Sequence, residues 1–232
     1  MPWSWCRKFK GAITHPNKPA ILRVQKDKSL IFMIFRYFSQ SSPRNEIPLP
    51  SWEECLALME AHGMLPHIRE HSFQVTEVAN LLGQALSAAG FPLHLPLIEA
   101  GALLHDLGKT RCLGTSINHA QWGAGVLLDS GYPELAQIVK EHVHLDSACG
   151  DPRPLREAEI VNYADKRVLH DQVVTLQARF ADLKERYGRT PEAMSRIAAL
   201  EGQARSLEVK LFTPLSLTPL DLLHLNQSRR KP

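Results

Sequence analysis

The amino-acid sequence predicts an all-α protein built as a helical bundle. From residue 51 onward, apolar side chains recur at the three- and four-residue spacing of amphipathic helices, and no segment shows sustained alternation of period two. Glycine and proline residues separate these stretches at short intervals, as is usual for the connections of helical bundles. At 232 residues and 44% apolar content, the chain is long enough to bury one core of ordinary size.

Capping and breaker residues predict the bounds of the helices. Ser51 stands three residues before Glu54, the spacing of a capping box, and this first helix closes at Gly63. A second helix follows Ser72, carries apolar residues on one face and stops at Gly90. The five later helices are bounded in the same way, at Leu97–Leu107 between Pro96 and Gly108, at His119–Ser130 before Gly131, at Pro133–Leu145, at Leu155–Tyr187 and at Pro191–Leu211.

Charge divides the chain into a basic N-terminal segment and a helical region. Residues 1–46 carry nine basic and two acidic side chains, have no clear periodicity, and lead into a stretch rich in Pro, Ser and Asn. We predict a poorly ordered extension at 1–50, a helical domain at 51–211 and a C-terminal tail at 212–232. Three alternatives remain open for the extension, namely a natural start at Met33, a transit peptide and an arm that binds nucleic acid.

Composition excludes several classes of protein. No apolar run approaches the roughly 20 residues that a membrane-spanning helix needs, which excludes an integral membrane protein. The four cysteines are widely spaced and form no C-x-x-C pair. This pattern indicates neither a disulfide framework nor a thiolate zinc site. Reduced thiols are typical of the cytoplasm, so we expect a cytoplasmic protein with no membrane partner.

The candidate functional residues are histidines and aspartates on successive predicted helices. In an antiparallel bundle, separations of about one helix plus a turn bring such side chains to one level of the core. Taken singly, each histidine is also explained as a hydrogen-bonded core residue, but a buried carboxylate is costly without a cation or several donors. Imidazole and carboxylate groups that converge in one core indicate a bound transition metal. These candidates are His71, His105, Asp106, His119, His142 and Asp165.

Several short motifs carry a family resemblance across about residues 65–170. They are His71-Ser72, the stretch from Ala102 to Lys109 with its central His105-Asp106, His119-Ala120, Glu141-His142 and Ala164-Asp165-Lys166. In this order and helical context, the series resembles the HD superfamily of metal-dependent phosphohydrolases, of the HDIG type. The resemblance implies an HD-domain helical bundle and a metal centre that hydrolyses phosphoric esters or anhydrides.

The resemblance also implies a metal ligand set. The residues that match the ligands of a first divalent ion are His71, His105, Asp106 and Asp165. Asp106 would bridge to a second ion, for which His119 and His142 match the further ligands. A single ion, with these two histidines contacting the substrate or supporting the ligands, is the alternative. The mixed nitrogen and oxygen ligand set favours manganese, iron, cobalt or nickel, with zinc as a further candidate.

Two more residues are candidates for binding the substrate. Lys109 matches the lysine of the family motif and is expected to hold a phosphate oxygen as a point charge, the alternative being a solvent-facing lysine at a helix end. Asn162 lies one turn before Asp165 on the same helix face and is a candidate to line the site. Lys166 and Arg167 leave this helix in other directions, and we assign neither of them a role.

The predicted function is that of an enzyme, a metal-dependent phosphohydrolase with Asp106 and Lys109 as catalytic residues. It would cleave a phosphoester or phosphoanhydride of a small phosphorylated substrate, a nucleotide or dinucleotide, by metal-activated hydroxide. The alternative is a non-catalytic HD scaffold that senses nucleotides or binds RNA. A nucleic-acid partner is not expected for the enzyme. A homodimer stays open, because the apolar faces of the last two helices suit either core packing or a second subunit.

Overall fold

The computed structural model describes residues 47–146 and 154–228, and within these ranges the protein is helical, as predicted. The predicted extension as far as residue 46, with the alternative start at Met33, lies outside the described residues. None of the described helices is long and apolar enough to cross a membrane. The described elements are α1 (Trp52–Ala61), α2 (Pro66–Ala88), α3 (Leu95–Leu104), α4 (Lys109–Cys112), α5 (His119–Asp129), α6 (Pro133–Glu141), α7 (Glu157–Lys166), β1 (Val168–Leu169), β2 (Gln172–Val173), α8 (Leu176–Tyr187), α9 (Pro191–Phe212), a 3-10 turn (Asp221–His224) and α10 (Leu225–Ser228).

Local signals account for the first two helices. The Ser51 hydroxyl accepts a hydrogen bond from the Glu54 amide at 3.2 Å, and the Glu54 carboxylate accepts one from the Ser51 amide at 2.7 Å, so the capping box forms as predicted. Helix α2 begins at Pro66, earlier than predicted, because a proline fits the first turn of a helix. His71 therefore lies within a long helix instead of ahead of it.

Helices α2, α3 and α7 form the centre of the bundle. Helix α2 packs against α3 and α7, α3 also packs against α6, and α5 packs against α6. The apolar residues between these helices are fully buried, among them Val78 on α2, Ile98 on α3 and Val161 on α7. The candidate ligands lie on these five helices or directly at their ends, so the packing of the core sets their positions.

Two helices end earlier than predicted, and each end places a candidate ligand. Helix α3 ends at Leu104 and α6 ends at Glu141, both short of the predicted bounds. The next residues, His105 and His142, occupy the C-cap positions. Adjacent residues within a helix diverge by about 100°, so leaving the helix here allows His105 and Asp106 to face the same side.

The prediction of one continuous helix over Leu155–Tyr187 is wrong. Within this range the chain forms two helices, α7 and α8, with a β hairpin between them. Strands β1 and β2 pair in antiparallel register, with Val168 opposite Val173. His170, in the turn of the hairpin, has a φ of 56°, a left-handed conformation that interrupts a helix. Each strand has only two residues, so the alternation of apolar and polar side chains is too short to be distinguished from helical spacing in the sequence.

The segment predicted as a tail at 212–232 packs against the domain in its described part, which ends at residue 228. Leu222 in the 3-10 turn is fully buried. The Asn226 side chain accepts a hydrogen bond from the Val173 amide and donates one to the Val173 carbonyl, both at 2.8 Å. A side-chain amide therefore satisfies the outward-facing backbone groups of β2 at Val173.

Candidate metal centre

Five elements of the fold contribute side chains to one cluster in the core. Helix α2 contributes from its second turn, α7 from its last turn and α5 from its first residue. The ends of α3 and α6 contribute the remaining side chains. All six candidate ligands predicted from the sequence meet in this cluster, five of them buried and one partly buried. They are His71 on α2, His105 and Asp106 after α3, His119 on α5, His142 after α6 and Asp165 on α7.

The first group of ligand atoms surrounds one oxygen of Asp106 and one oxygen of Asp165. The Nε2 atom of His71 lies 3.1 Å from Asp165 Oδ1 and 3.9 Å from Asp106 Oδ2. The Nε2 atom of His105 lies 3.7 Å from Asp165 Oδ1 and 3.4 Å from Asp106 Oδ2. One ligand atom each from His71, His105 and Asp106 lie within 4.8 Å of one another, close enough for one ion to contact all three.

The second group of ligand atoms faces the other oxygen of Asp106. Asp106 Oδ1 lies 3.3 Å from the Nε2 atom of His119 and 3.6 Å from the Nε2 atom of His142. These two ring nitrogens lie 3.1 Å apart. Because Oδ2 faces the first group and Oδ1 the second, the carboxylate of Asp106 stands between two sets of imidazole nitrogens.

Backbone carbonyls orient three of the four imidazole rings. A carbonyl oxygen only accepts hydrogen bonds, so the Nδ1 atom of each of these rings must carry the proton and donate it. The opposite ring atom, Nε2, then presents a lone pair to the cluster, which is the tautomer that a metal ligand needs. The three bonds run from His71 Nδ1 to His170 O at 2.8 Å, from His105 Nδ1 to Ala102 O at 2.7 Å and from His142 Nδ1 to Val139 O at 2.6 Å.

The surroundings of His105 suit a bound cation. Its Nε2 atom is buried and has no hydrogen-bond partner among the described residues. Burial lowers the pKa of His105, but attraction by the carboxylates of Asp106 and Asp165 outweighs it, and the pKa is raised overall. The carboxylates thus favour positive charge at this nitrogen, whether as a proton or as a metal ion. Burial lowers the pKa of His142 to about 4, so its ring is neutral near pH 7, the form that binds a metal.

Both aspartates are ionised in spite of their burial. Burial alone would raise the pKa of Asp106, but His105 and Lys109 hold it well below its usual range. In the same way, burial would raise the pKa of Asp165, but Lys166 and the cluster histidines hold it well below its usual range. Negative charge in a buried site, faced by imidazole nitrogens, is an environment that suits a divalent transition metal.

Two residues of α7 support the end of α6, and the sequence analysis missed the role of one of them, Lys166. Asn162, expected to line the site, is only 2% exposed, and its Nδ2 donates to the carbonyls of Glu141 and His142, both at 3.0 Å. Lys166, which the sequence left without a role, donates from Nζ to the His142 carbonyl at 2.7 Å and to Asp165 Oδ2 at 3.0 Å. Both side chains hold His142 in place from one face of α7, as their spacing of four residues permits.

Lys109 lies at the edge of the cluster. Its Nζ donates to Asp106 Oδ2 at 2.7 Å, and its side chain is 40% exposed. Burial lowers the pKa of Lys109, but attraction by Asp106 and Asp165 outweighs this effect and raises the pKa overall. The lysine is therefore a cation that contacts the central carboxylate on one side and solvent on the other.

Gly108 allows the turn after Asp106 to lie directly against α5. A Cβ atom at this position would clash with the backbone oxygen of His119 and lie 3.0 Å from the amide nitrogen of Gly123. Backbone atoms cannot rotate out of the way, so only glycine permits this close approach. The contact holds the segment that carries Asp106 against the helix that carries His119.

We expect the Gly108→Ala protein to lose about 1–3 kcal/mol of its unfolding free energy and to bind metal more weakly, because α5 must move away together with His119. Urea unfolding and calorimetric titration with Mn²⁺ measure the two effects. Gly125→Ala, on α5, is the matched control. A Cβ atom at Gly125 meets open space, and alanine favours the helix. Equal stability of the two variant proteins would contradict the close approach.

Comparison with known proteins gives a family match and a relative that is matched over most of its own length. A family model described as HD domain matches residues 68–168. An uncharacterized protein of Methanocaldococcus jannaschii is 28% identical over 153 residues, which cover 61% of this chain and 89% of that protein.

Two further archaeal relatives are described as tRNA (cytidine(56)-2'-O)-methyltransferases. The protein from Thermoplasma volcanium is 32% identical over 96 residues, covering 41% of this chain and 26% of the relative. The protein from Picrophilus torridus is 26% identical over 141 residues, covering 56% of this chain and 39% of the relative. The chain therefore spans well under half the length of either methyltransferase.

Among solved structures, the chain is similar to a crystal structure of a predicted HD superfamily hydrolase from an uncultured Thermotogales bacterium. The similarity covers 71% of this chain and 91% of that chain, with 19% sequence identity and a TM-score of 0.41.

Proposed function

We propose that the chain, whose residues 68–168 match the HD domain family model, is an HD-superfamily metal-dependent phosphohydrolase. The observation that carries the proposal is the position of Asp106, whose two carboxylate oxygens face two separate groups of imidazole nitrogens. A carboxylate so placed can contact two ions at once, which suits a two-metal hydrolytic site.

We propose a ligand for each position of such a centre. His71, His105, Asp106 and Asp165 would hold the first divalent ion, and Asp106, His119 and His142 the second. Mn, Fe, Co or Ni suits this mixture of nitrogen and oxygen donors, with Zn as a further candidate. The ions, when bound, would supply a water of lowered pKa and neutralise charge on the phosphoryl oxygens.

The residues of the chain would keep these groups ready for reaction. The ionised carboxylate of Asp106 needs no deprotonation before it binds metal. Lys109 donates one hydrogen bond from its ammonium group to Asp106. Its two other N–H groups would be available to donate to phosphoryl oxygens of the substrate. We propose a small phosphorylated substrate, a nucleotide or dinucleotide, whose phosphoester or phosphoanhydride bond is cleaved.

Metal removal and replacement tests the proposal. Protein stripped by a chelator is dialysed, reconstituted separately with Mn²⁺, Fe²⁺, Co²⁺, Ni²⁺, Zn²⁺ or Mg²⁺, and assayed on nucleoside mono-, di- and triphosphates and dinucleoside polyphosphates. We expect no turnover by the stripped protein, recovery with a transition metal, and weaker recovery with Mg²⁺, which prefers oxygen ligands. Turnover by stripped protein at the rate of the reconstituted protein would contradict the assignment.

A non-catalytic protein that senses nucleotides or binds RNA is the second candidate. The basic residues 1–46 and the relatives described as tRNA methyltransferases favour it. Metal uptake without turnover on the whole panel, together with RNA binding that weakens with salt and is lost on deleting residues 1–46, would support this candidate. Turnover that requires the metal would instead support the enzyme.

A further inference from the structure

The carboxylate of Glu141 is buried directly beside a candidate metal ligand. Glu141 is the last residue of α6, is only 1% exposed and immediately precedes His142. A negative charge is unfavourable at the C-terminal end of a helix, where the last carbonyl groups carry partial negative charge. Burial makes an ionised carboxylate more costly still. Neither the helix nor the apolar core therefore explains a glutamate at this position.

Four hydrogen bonds hold this carboxylate in one orientation. Arg156, the N-cap residue of α7, donates from Nη1 to Oε1 at 3.1 Å and from Nη2 to Oε2 at 2.9 Å. Gln137, one turn earlier in α6, donates from Nε2 to Oε1 at 2.6 Å, and the Asp146 amide donates to Oε2 at 3.2 Å. Each oxygen thus accepts two hydrogen bonds, and the paired contact with the guanidinium fixes the plane of the carboxylate.

Helix α7 also holds the backbone on both sides of the peptide bond between Glu141 and His142. Asn162 donates to the Glu141 carbonyl and to the His142 carbonyl, both at 3.0 Å. Lys166 donates to the His142 carbonyl at 2.7 Å. The end of α6 is therefore attached to α7 at its N-cap, in its middle and in its last turn, so one rigid helix determines where these two residues lie.

The imidazole of His142 depends on such support because it stands where the regular helix has ended. His142 occupies the C-cap position of α6, and its Nδ1 donates to the Val139 carbonyl at 2.6 Å. Its Nε2 lies 3.6 Å from Asp106 Oδ1 and 3.1 Å from His119 Nε2. The ligand atoms of a metal site must be held to within about 0.5 Å, which requires support from residues around the ligands.

We propose that Arg156 and Glu141 are positioning residues that hold His142 as a ligand of the second ion. The inference rests on the phosphohydrolase function proposed above, because that function assigns the second ion to Asp106, His119 and His142. The other ligands of the first ion come from α2, from the end of α3 and from α7, and not from α6. Loss of the ion pair therefore weakens the second ion and leaves the first in place.

A role in stability alone leads to a different result. Buried ion pairs contribute little net stability, because desolvation of the two charges offsets their attraction, and apolar replacements of similar volume are often neutral or stabilising. We expect the double variant Glu141→Met/Arg156→Met to fold, with an unfolding midpoint equal to or above that of the native protein. A pair that serves only the fold would leave ion binding by this variant unchanged, whereas a positioning pair would not.

Calorimetric titration of metal-stripped protein with Mn²⁺ measures ion binding without turnover. We expect the native protein to bind two ions. The double variant should bind the second ion about 10- to 100-fold more weakly, the range for residues that support a metal ligand, and the first ion within about twofold of the native affinity. His119→Ala, which removes a ligand of the second ion only, identifies the step of the titration that belongs to this ion.

Further variants and a metal-free measurement make the result specific. Arg156→Lys keeps the charge but loses the paired donors, so its second-ion affinity should fall between those of the native protein and the double variant. Lys140→Gln is the matched control, because Lys140 lies in the last turn of α6 and pairs with Asp146 at the surface, at 3.5 Å. Amide hydrogen exchange at residues 139–146, measured without metal, should accelerate in the double variant and not in this control.

The outcomes separate this inference from the proposed function. Equal weakening of both ions in the folded double variant, or weakening of neither, overturns the positioning role. A native protein that binds a single ion overturns it as well and leaves a one-metal phosphohydrolase standing. Selective weakening of the second ion, in a protein that hydrolyses nothing, supports the positioning role and refutes the enzyme.

Discussion

The Asp106→Asn protein is expected to lose the proposed metal-dependent hydrolysis while keeping its fold. Asparagine has the same shape but no negative charge, and one of its two polar atoms is an NH₂ group that cannot bind a metal. Because Asp106 faces both groups of imidazole nitrogens, both proposed ion positions would lose a ligand in the same substitution. Metal activation contributes several kcal/mol to such reactions, so turnover should fall by about 10³-fold or more.

Metal content, turnover and unfolding of this protein are measured together. The unfolding midpoint should change little, because the replaced group keeps its volume and Lys109 remains partly solvated. Asp129→Asn, at the exposed end of α5, is the matched control and should leave all three quantities unchanged. If Asp106→Asn retains native turnover with a full complement of metal, the bridging role of Asp106 is refuted.

The Arg167→Ala protein is expected to be strongly destabilised. The guanidinium donates to the Val174 carbonyl at 2.7 Å, to the Tyr163 hydroxyl at 2.6 Å and to the Pro219 carbonyl at 2.8 Å. It also lies 3.5 Å from the carboxylate of Glu208. Removing one partner of a buried charged network leaves the others unpaired, and we expect the free energy of unfolding to fall by about 3–5 kcal/mol.

Urea unfolding of the native and Arg167→Ala proteins measures this change. Arg205→Ala is the matched control, since Arg205 is exposed on α9 and pairs only with Glu201 on its own helix among the contacts described. Such a surface pair is worth less than about 1 kcal/mol. A loss below about 1 kcal/mol for Arg167→Ala would show that this network does not hold the hairpin and the C-terminal segment to α7.

The fold class and the candidate residues could be predicted because their signals are local or periodic. The capping box at Ser51 lies within four residues, and the apolar spacing of the helices repeats within each helix. The six candidate ligands came from their spacing and from the motif series, and the structure brings them into one cluster. Their role in binding metal stays a prediction until metal content is measured.

The β hairpin could not be predicted because it depends on distant residues. Its outer edge is satisfied by Asn226, which is 53 residues from Val173 along the chain. Without the hairpin, no sequence signal identifies the carbonyl of His170 as the group that orients His71. The spacing of Asn162 and Lys166 places them on one face of α7, but nothing local shows that this face meets the end of α6.

The sequence by itself determined the helical class, the order of the helices and the residue types that could form the centre, because period and motif are properties of neighbouring residues. Only the tertiary structure decided which oxygen of Asp106 faces which imidazoles and which ring nitrogen carries the proton. Those features depend on carbonyl groups and cations from separate segments, and packing of the core is what brings these segments together.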